Sequence, residues 1–210
     1  MQKANYGVLL EKELGEIEKS GNTPSLLLHA CCAPCSSSVL EYTAKFFDIT
    51  LFFHNPNIYP KDEFTRRKEE LERLITYIDT PNRLDLVIPE YDENEFFSAA
   101  KGLENEKEGG ARCEKCFILR LGRTYEYAKE QGFDYFATTL TVSPHKNAEL
   151  INRIGETLAK GGGTKWLYSD FKKKGGYLRS CVLSKQYGLY RQNFCGCVYS
   201  KAQAAAENRI

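Results

Sequence analysis

The chain has 210 residues and a mass of 23.9 kDa, the size of one globular domain; it is 42% hydrophobic and 27% charged, with a mean hydropathy of −0.47. No apolar run approaches the roughly 20 residues that span a bilayer, and charges interrupt the apolar positions of residues 1–21, so the sequence predicts neither membrane insertion nor secretion but a cytoplasmic protein. Lys and Arg number 29 against 28 for Asp and Glu, so the net charge of +1 gives no global case for nucleic-acid binding.

Short apolar runs alternate along the chain with segments of helical periodicity. Before the first predicted strand, residues 1–21 are assigned no element. The predicted strands are 25–30, 48–55, 84–90, 133–140 and 166–169, and the predicted helices are 36–47, 61–78, 92–101, 113–131, 145–160, 176–187 and 198–207.

Strands separated by helices predict an α/β fold with a parallel sheet of about five strands and right-handed crossovers. We expect residues 1–210 to form a single domain, with an α/β core at 25–169 and a C-terminal extension at 170–210 that covers the active site. The segments HACCAPC and TVSPHKN each follow a predicted strand. Because ligands bind at the carboxyl ends of parallel strands, these two loops should meet at one site.

Eight cysteines fall in groups, which in a reducing compartment indicates metal binding or redox chemistry rather than disulfides. Cys31 and Cys32 with Cys113 and Cys116 could form a four-thiolate set for an iron–sulfur cluster or for zinc, with structural or redox thiols as the third alternative. Cys35, in the first turn of a helix, is either a ligand or a packed thiol. The isolated Cys181 is expected to be a buried thiol.

The Cys195-Gly196-Cys197 segment has three interpretations. Two thiols one residue apart can close a strained, readily reduced disulfide suited to electron transfer. They can instead complete a metal site, or be unrelated thiols in a loop.

Among the three histidines, His145 at the start of a predicted helix is the strongest candidate proton donor, against a simple capping role. His29 is expected in the core, and His54 follows the second strand. Basic residues cluster at 66–68 and 172–174, and tyrosines accompany basic residues towards the C-terminus. These are either contacts to RNA phosphates and bases or a solvated surface.

Five motifs carry a resemblance over residues 29–200: HACCAPC, GARCEKCFILRL, TTLTVSPHKN, DFKKKGGYLRS and QNFCGCVYS. Together they resemble the cobalamin-independent epoxyqueuosine reductase family, QueH. The resemblance implies an iron–sulfur oxidoreductase that deoxygenates the epoxide of epoxyqueuosine at the tRNA wobble position, the last step of queuosine modification. It also implies a Rossmann-like fold related to the ATP pyrophosphatases (HUP-like), although HACCAPCSS stands where those enzymes have a phosphate-binding SGGxDS loop.

By position, Cys31, Cys32, Cys113 and Cys116 match the family's [4Fe–4S] ligands, and Cys195 and Cys197 match its redox-active pair. An additional iron ion is the alternative role for that pair. The expected partners are tRNA carrying epoxyqueuosine and an electron donor that the sequence does not identify. A zinc-stabilised RNA-binding module without catalysis is the rival interpretation.

Overall fold

The protein, described for residues 4–207 of a computed structural model, alternates strands and helices along most of its length. The strands are β1 (Ser25–His29), β2 (Asp48–Phe52), β3 (Leu84–Val87), β4 (Tyr135–Thr138) and β5 (Lys165–Trp166). The helices are α1 (Tyr6–Ser20), α2 (Ala33–Thr43), α3 (Lys61–Tyr77), α4 (Glu93–Ala100), α5 (Ala111–Gln131), α6 (Ala148–Ala159), α7 (Gly176–Gln186) and α8 (Val198–Ala206).

All five strands are parallel and lie in the order β3-β2-β1-β4-β5. The chain builds outward from β1 in one direction through β2 and β3, then returns to the other side of β1 with β4 and β5. The order therefore reverses between β1 and β4, which is the crevice where doubly wound folds bind ligands. The predicted α/β, Rossmann-like fold with a five-stranded parallel sheet is confirmed.

Helices cover both faces of the sheet, because every central strand is apolar on both sides. Leu26 and Leu28 of β1 pack with α1, α2 and α3 on one face. Leu27, between them, points to the other face and packs with α5 and α6. This alternation produces three layers with two separate hydrophobic clusters.

The C-terminal segment runs along α2 and α3 towards the carboxyl ends of the strands. Helix α7 packs against α2. Arg73 of α3 donates to the carbonyls of Tyr187 and Gly188 at 3.2 and 2.8 Å, and Glu70 accepts the Tyr190 amide at 2.7 Å. These bonds direct residues 191–197 across the carboxyl ends of the strands.

The structure differs from the predicted elements at several places, and strands β2 to β5 are shorter than predicted. Helix α1 occupies a segment for which no element was predicted; its buried Leu10, Leu14 and Ile17 lie at helical spacing. Helix α2 begins at Ala33 rather than residue 36 because Pro34 stands in its first turn, a favoured helix position. Between β4 and α6 the chain forms a short 3-10 helix at Thr139–Val142. Within residues 4–207, no helix combines the length and apolarity that crossing a bilayer requires.

Two helical glycines should respond oppositely to replacement by alanine. Gly155 of α6 lies against the Trp166 indole, where an added Cβ would overlap the ring, whereas nothing lies within 4 Å of an added Cβ at Gly15 of α1. We expect Gly155→Ala to lower the free energy of unfolding by about 1–3 kcal/mol through overpacking. Gly15→Ala should raise it by about 0.5–1 kcal/mol, since alanine favours helix. Urea unfolding of both variants measures this, and equal effects would contradict the packing at Trp166.

Candidate functional site

The candidate site lies where β1 and β4 end side by side, at the reversal of strand order. His29, the last residue of β1, is paired in register with Thr138, the last residue of β4, and its Nδ1 lies 2.8 Å from the Thr138 hydroxyl. The cysteine-bearing loop leaves β1 directly after His29. The two loops that the sequence predicts to meet are therefore adjacent.

Cys31, Cys32 and Cys35 form the first thiol group, with all three sulfurs within 4.8 Å of one another. The Cys31 backbone N–H donates to Thr139 Oγ1 at 3.2 Å, and the Thr139 hydroxyl donates to the Cys31 sulfur at 3.4 Å. Hydrogen bonds from the Cys31 and Cys35 thiols hold the pKa of Cys32 well below its usual value. Contact with Cys32, together with burial, raises the pKa of Cys31. The structure thus places Cys35, which the sequence left ambiguous, among the potential ligands.

The second thiol group consists of Cys113, Cys116, Cys195 and Cys197, which line one narrow cleft. Cys113 and Cys116 lie in the first turns of α5, and Cys197 caps the N-terminus of α8, its sulfur accepting the Ser200 N–H at 3.3 Å. Burial raises the pKa of Cys116 to about 12 and also raises that of Cys197.

A cavity of about 450 Å³ connects the two thiol groups. Cys31 and Cys35 lie on its wall, and Cys195 lines both this cavity and the narrow cleft. Cys31 and Cys113 also pack against the same hydrophobic cluster, which contains Phe117 and Leu140. Cys181, by contrast, is half-buried on α7 rather than fully buried as expected, and lies outside the described lining of both spaces.

Lys146 is a buried cation within this cavity. Its Nζ donates to Glu108 at 2.9 Å and to the Cys195 sulfur at 3.1 Å. Burial alone would lower the pKa of Lys146, but the neighbouring Cys195 sulfur and Glu108 carboxylate raise it overall. The ammonium group therefore stays charged and holds Cys195 towards the cavity.

Arg67 of α3 fixes the backbone of the Cys195-Gly196-Cys197 segment. Its Nε donates to Glu63 at 2.6 Å and its Nη1 to the Cys195 carbonyl at 3.0 Å. Gly196 has φ +123°, and an added Cβ there would lie 2.9 Å from Arg67 Nη1. Both the backbone conformation and the lack of space therefore favour glycine at this position. The Tyr59 N–H donates to the Gly196 carbonyl at 3.0 Å.

Arg120 of α5 lies buried between the two thiol groups. Its Nη2 donates to Asn55 Oδ1 at 2.6 Å, and its Nη1 approaches the Cys116 sulfur at 4.0 Å. Burial would lower the pKa of Arg120, but the neighbouring sulfurs, that of Cys116 first, raise it overall.

The histidines differ in access to the cavity. His145 is exposed and lines the cavity rim. Its backbone N–H donates to the Ser143 hydroxyl at 3.3 Å. Burial, reinforced by the Arg120 charge, lowers the pKa of His29 to about 3 and of His54 to about 4, so both are neutral near pH 7. The core position predicted for His29 is confirmed.

Sequence reasoning missed four charged groups of the site: the buried Lys146, Arg67 and Arg120 and the half-buried Glu108. Lys146 follows His145 directly, yet its burial depends on contacts with Glu108 and Cys195, 38 and 49 residues away. Arg120 lies within the GARCEKCFILRL motif, and its i+4 spacing from Cys116 was the one available signal.

A larger groove of about 1070 Å³ shares Lys146 with the cavity. The basic stretch at 172–174 lines it, but Lys172 contacts Asp170 at 2.6 Å and Lys174 contacts Glu11 at 2.8 Å. The basic stretch at 66–68 is not an open patch, because Arg67 is buried and the Arg66 guanidinium stacks 3.4 Å from the centre of the Tyr190 ring.

Comparison with known proteins gives consistent matches over most of the chain. The family model described as "Epoxyqueuosine reductase QueH" matches residues 26–203. Proteins of that name from Streptococcus pyogenes and Staphylococcus epidermidis are 46% and 42% identical over 201 and 203 residues, covering 95% of this chain and 79% and 85% of theirs. The Thermotoga maritima protein of that name is 36% identical over 179 residues, covering 84% of this chain and 90% of its own. The chain that gathers seven thiols at the reversal point of its sheet therefore belongs to the epoxyqueuosine reductase QueH family.

Proposed function

We propose that this protein reduces epoxyqueuosine in tRNA to queuosine, the last step of queuosine modification. The two C–O bonds of the epoxide break, a C=C bond forms, and the oxygen leaves as water after taking up two electrons and two protons. Family membership favours this oxidoreductase activity over the rival zinc-stabilised RNA-binding module. Because tRNA is the substrate, we place the reaction in the cytoplasm.

One observation carries the proposal: Cys195 lines both the narrow cleft and the larger cavity, so members of both thiol groups border the larger cavity. A zinc site needs four ligands, whereas seven cysteines gather here. An excess of thiols beside a cavity of about 450 Å³, large enough for a nucleoside, supports redox chemistry on a bound substrate.

The donor set fits an iron–sulfur cluster. Thiolate is the ligand such clusters use, and three sulfurs already lie within 4.8 Å of one another. We propose that Cys31, Cys32, Cys113 and Cys116 hold a [4Fe–4S] cluster, with Cys35 as the competing ligand on the first thiol group. When bound, such a cluster supplies electrons one at a time. The electrons come from an external reductant.

The chain's own residues order the rest of the site. Arg67 fixes the backbone of Cys195, and Lys146 directs the Cys195 sulfur by a 3.1 Å hydrogen bond. His145, on the rim, is our proposed proton donor to the leaving oxygen. The buried ammonium of Lys146 contributes positive charge to the cavity in which that oxygen becomes negative.

The ligand assignment predicts the spectra of cysteine variants. Replacing Cys31, Cys32, Cys113 or Cys116 with serine removes a thiolate ligand and should reduce the broad visible absorbance of anaerobically purified protein or convert the cluster type. Cys181→Ser, outside both cavities, is the control and should keep the spectrum. Full absorbance in Cys113→Ser would contradict the assignment. Loss of the cluster in Cys35→Ser, with an intact spectrum in Cys32→Ser, would show that Cys35 and not Cys32 is the ligand.

The Cys195 and Cys197 pair predicts a separation of activity from cluster content. Either the pair gives up two electrons and closes a disulfide that the reductant reopens, or it holds an additional iron ion. In both cases Cys195→Ser and Cys197→Ser should abolish deoxygenation of epoxyqueuosine tRNA, followed by the mass of the released nucleoside, while most of the cluster absorbance remains.

Iron analysis separates the two roles of the pair. A loss of about one iron per chain supports ligation, and unchanged iron supports the dithiol. Wild-type protein that contains iron and sulfide but leaves the epoxide oxygen in place would contradict the proposed function itself. An active double variant of Cys195→Ser and Cys197→Ser would show that these two thiols are only structural.

The large groove is the proposed contact for the tRNA backbone. It lies beside the cavity, shares Lys146 with it, and carries basic side chains along α7 and the preceding loop. Substrate binding should require an anticodon stem-loop and weaken steeply with salt, because neutralised phosphates release counterions.

A triple variant tests this surface. Replacing Lys172, Lys173 and Lys174 with glutamine should flatten the dependence of tRNA affinity on salt while leaving the cluster spectrum unchanged. A double variant of Arg83 and Lys165, which lie at the opposite, amino-terminal ends of the strands, is the control. Unchanged tRNA affinity in the triple variant would show that residues 172–174 do not contact the tRNA.

A further inference from the structure

Arg120 is a buried cation with no carboxylate partner among residues 4–207. Its side chain is 2% exposed, and within the described part of the chain its guanidinium group donates to the amide oxygen of Asn55 and approaches the Cys116 sulfur. The Nε atom is buried without a hydrogen-bond acceptor. Among residues 4–207 no carboxylate lies within ion-pair distance of this guanidinium group. A charge removed from water is costly unless it is paired, so the site should contain negative charge from another source.

The other buried cations of the site show what Arg120 lacks. Lys146 contacts Glu108 at 2.9 Å, and Arg67 contacts Glu63 at 2.6 Å. Arg112, also buried, donates from Nη1 to the backbone carbonyls of Leu103, Glu104 and Glu106. Within residues 4–207, Arg120 is paired neither with a carboxylate nor with a set of backbone carbonyls.

Sulfur atoms occupy the position where a counter-ion would be expected. Nη1 of Arg120 lies 4.0 Å from the Cys116 sulfur, and Arg120 lines the same cavity as Cys31 and Cys195. These cysteines belong to both thiol groups, and Arg120 lines the cavity that connects them. The arginine therefore faces the whole thiol assembly from one buried position.

We infer that Arg120 is the resident counter-ion of the thiolate-bound cluster and raises its reduction potential. The inference rests on the proposed [4Fe–4S] cofactor. A cluster that accepts one electron from the reductant becomes more negative, and a fixed positive charge in a poorly hydrated environment favours the more negative state. Arg120 acts through the cluster and not on the substrate, so it is a positioning residue rather than a catalytic one.

Potentiometric titration of three variants against the wild type tests this role. Arg120→Gln removes the charge and keeps a polar amide, whereas Arg120→Lys keeps the charge. Arg123→Gln is the matched control, since Arg123 lies one turn further along α5 with its side chain 46% exposed. Exposed charge is screened by water and salt, so its removal should have little effect.

We expect Arg120→Gln to lower the equilibrium constant for one-electron reduction at least tenfold, which is about 59 mV towards more negative potential. Arg120→Lys should stay much nearer the wild type, and Arg123→Gln should match it. Anaerobic redox titration followed by visible absorbance and electron paramagnetic resonance gives these values without any substrate.

Each remaining outcome has a definite meaning. An unchanged potential in Arg120→Gln, or equal shifts in the glutamine and lysine variants, overturns the inference, because shape rather than charge would then matter. If the glutamine variant purifies without iron, iron restored in Arg120→Lys supports the inference, and iron absent from both overturns it. Wild-type protein without iron and sulfide would instead overturn the proposed cofactor, which keeps the two failures distinct.

Discussion

Buried cations hold the cysteine-bearing segments of this protein in place. Lys146 donates to the sulfur of Cys195, Arg67 donates to its carbonyl, and Arg120 approaches the sulfur of Cys116. They come from three different segments: the loop before α6, helix α3 and helix α5. The contacts of Lys146 and Arg67, together with the bonds of Arg73 and Glu70 to residues 187–190, fix the C-terminal segment beside the cavity, so that Cys195 lies between the two thiol groups.

The same cations explain why a thiol-rich cavity suits this chemistry. Thiolates repel one another, and their mutual approach becomes favourable when positive charge lies among them. The two buried histidines add no charge, because burial keeps them neutral near pH 7. Positive charge at the strand ends therefore comes from arginine and lysine, which stay charged over the physiological pH range.

Most of the fold follows from local patterns in the sequence. The apolar runs at β1, β2 and β4 are buried on both faces. Short runs of that kind, separated by amphipathic segments, predict a parallel sheet covered by helices. No element is predicted at helix α1, because charged residues interrupt its apolar positions, yet Leu10, Leu14 and Ile17 form a helical stripe that is buried in the structure. The strand predicted at 166–169 was displaced and too long, since only Lys165 and Trp166 pair with β4 at the sheet edge.

The site was predictable in its chemistry but not in its arrangement. Cysteine spacing indicated metal or redox function, and the meeting of the loops after β1 and β4 followed from strand order. The grouping of Cys113 and Cys116 with Cys195 and Cys197 depends on the path of the C-terminal segment, which is set by long-range contacts such as that from Arg67 to Cys195. Burial of Arg120 likewise has no local signature.

We propose that the two thiol groups jointly hold one iron–sulfur cluster beside the substrate cavity. Anomalous X-ray scattering at the iron absorption edge, from crystals grown without oxygen, would locate the iron. We expect a compact iron signal in contact with the sulfurs of Cys31, Cys32, Cys113 and Cys116 and next to Arg120. Iron bound only by Cys31, Cys32 and Cys35, or zinc in place of iron, would contradict it.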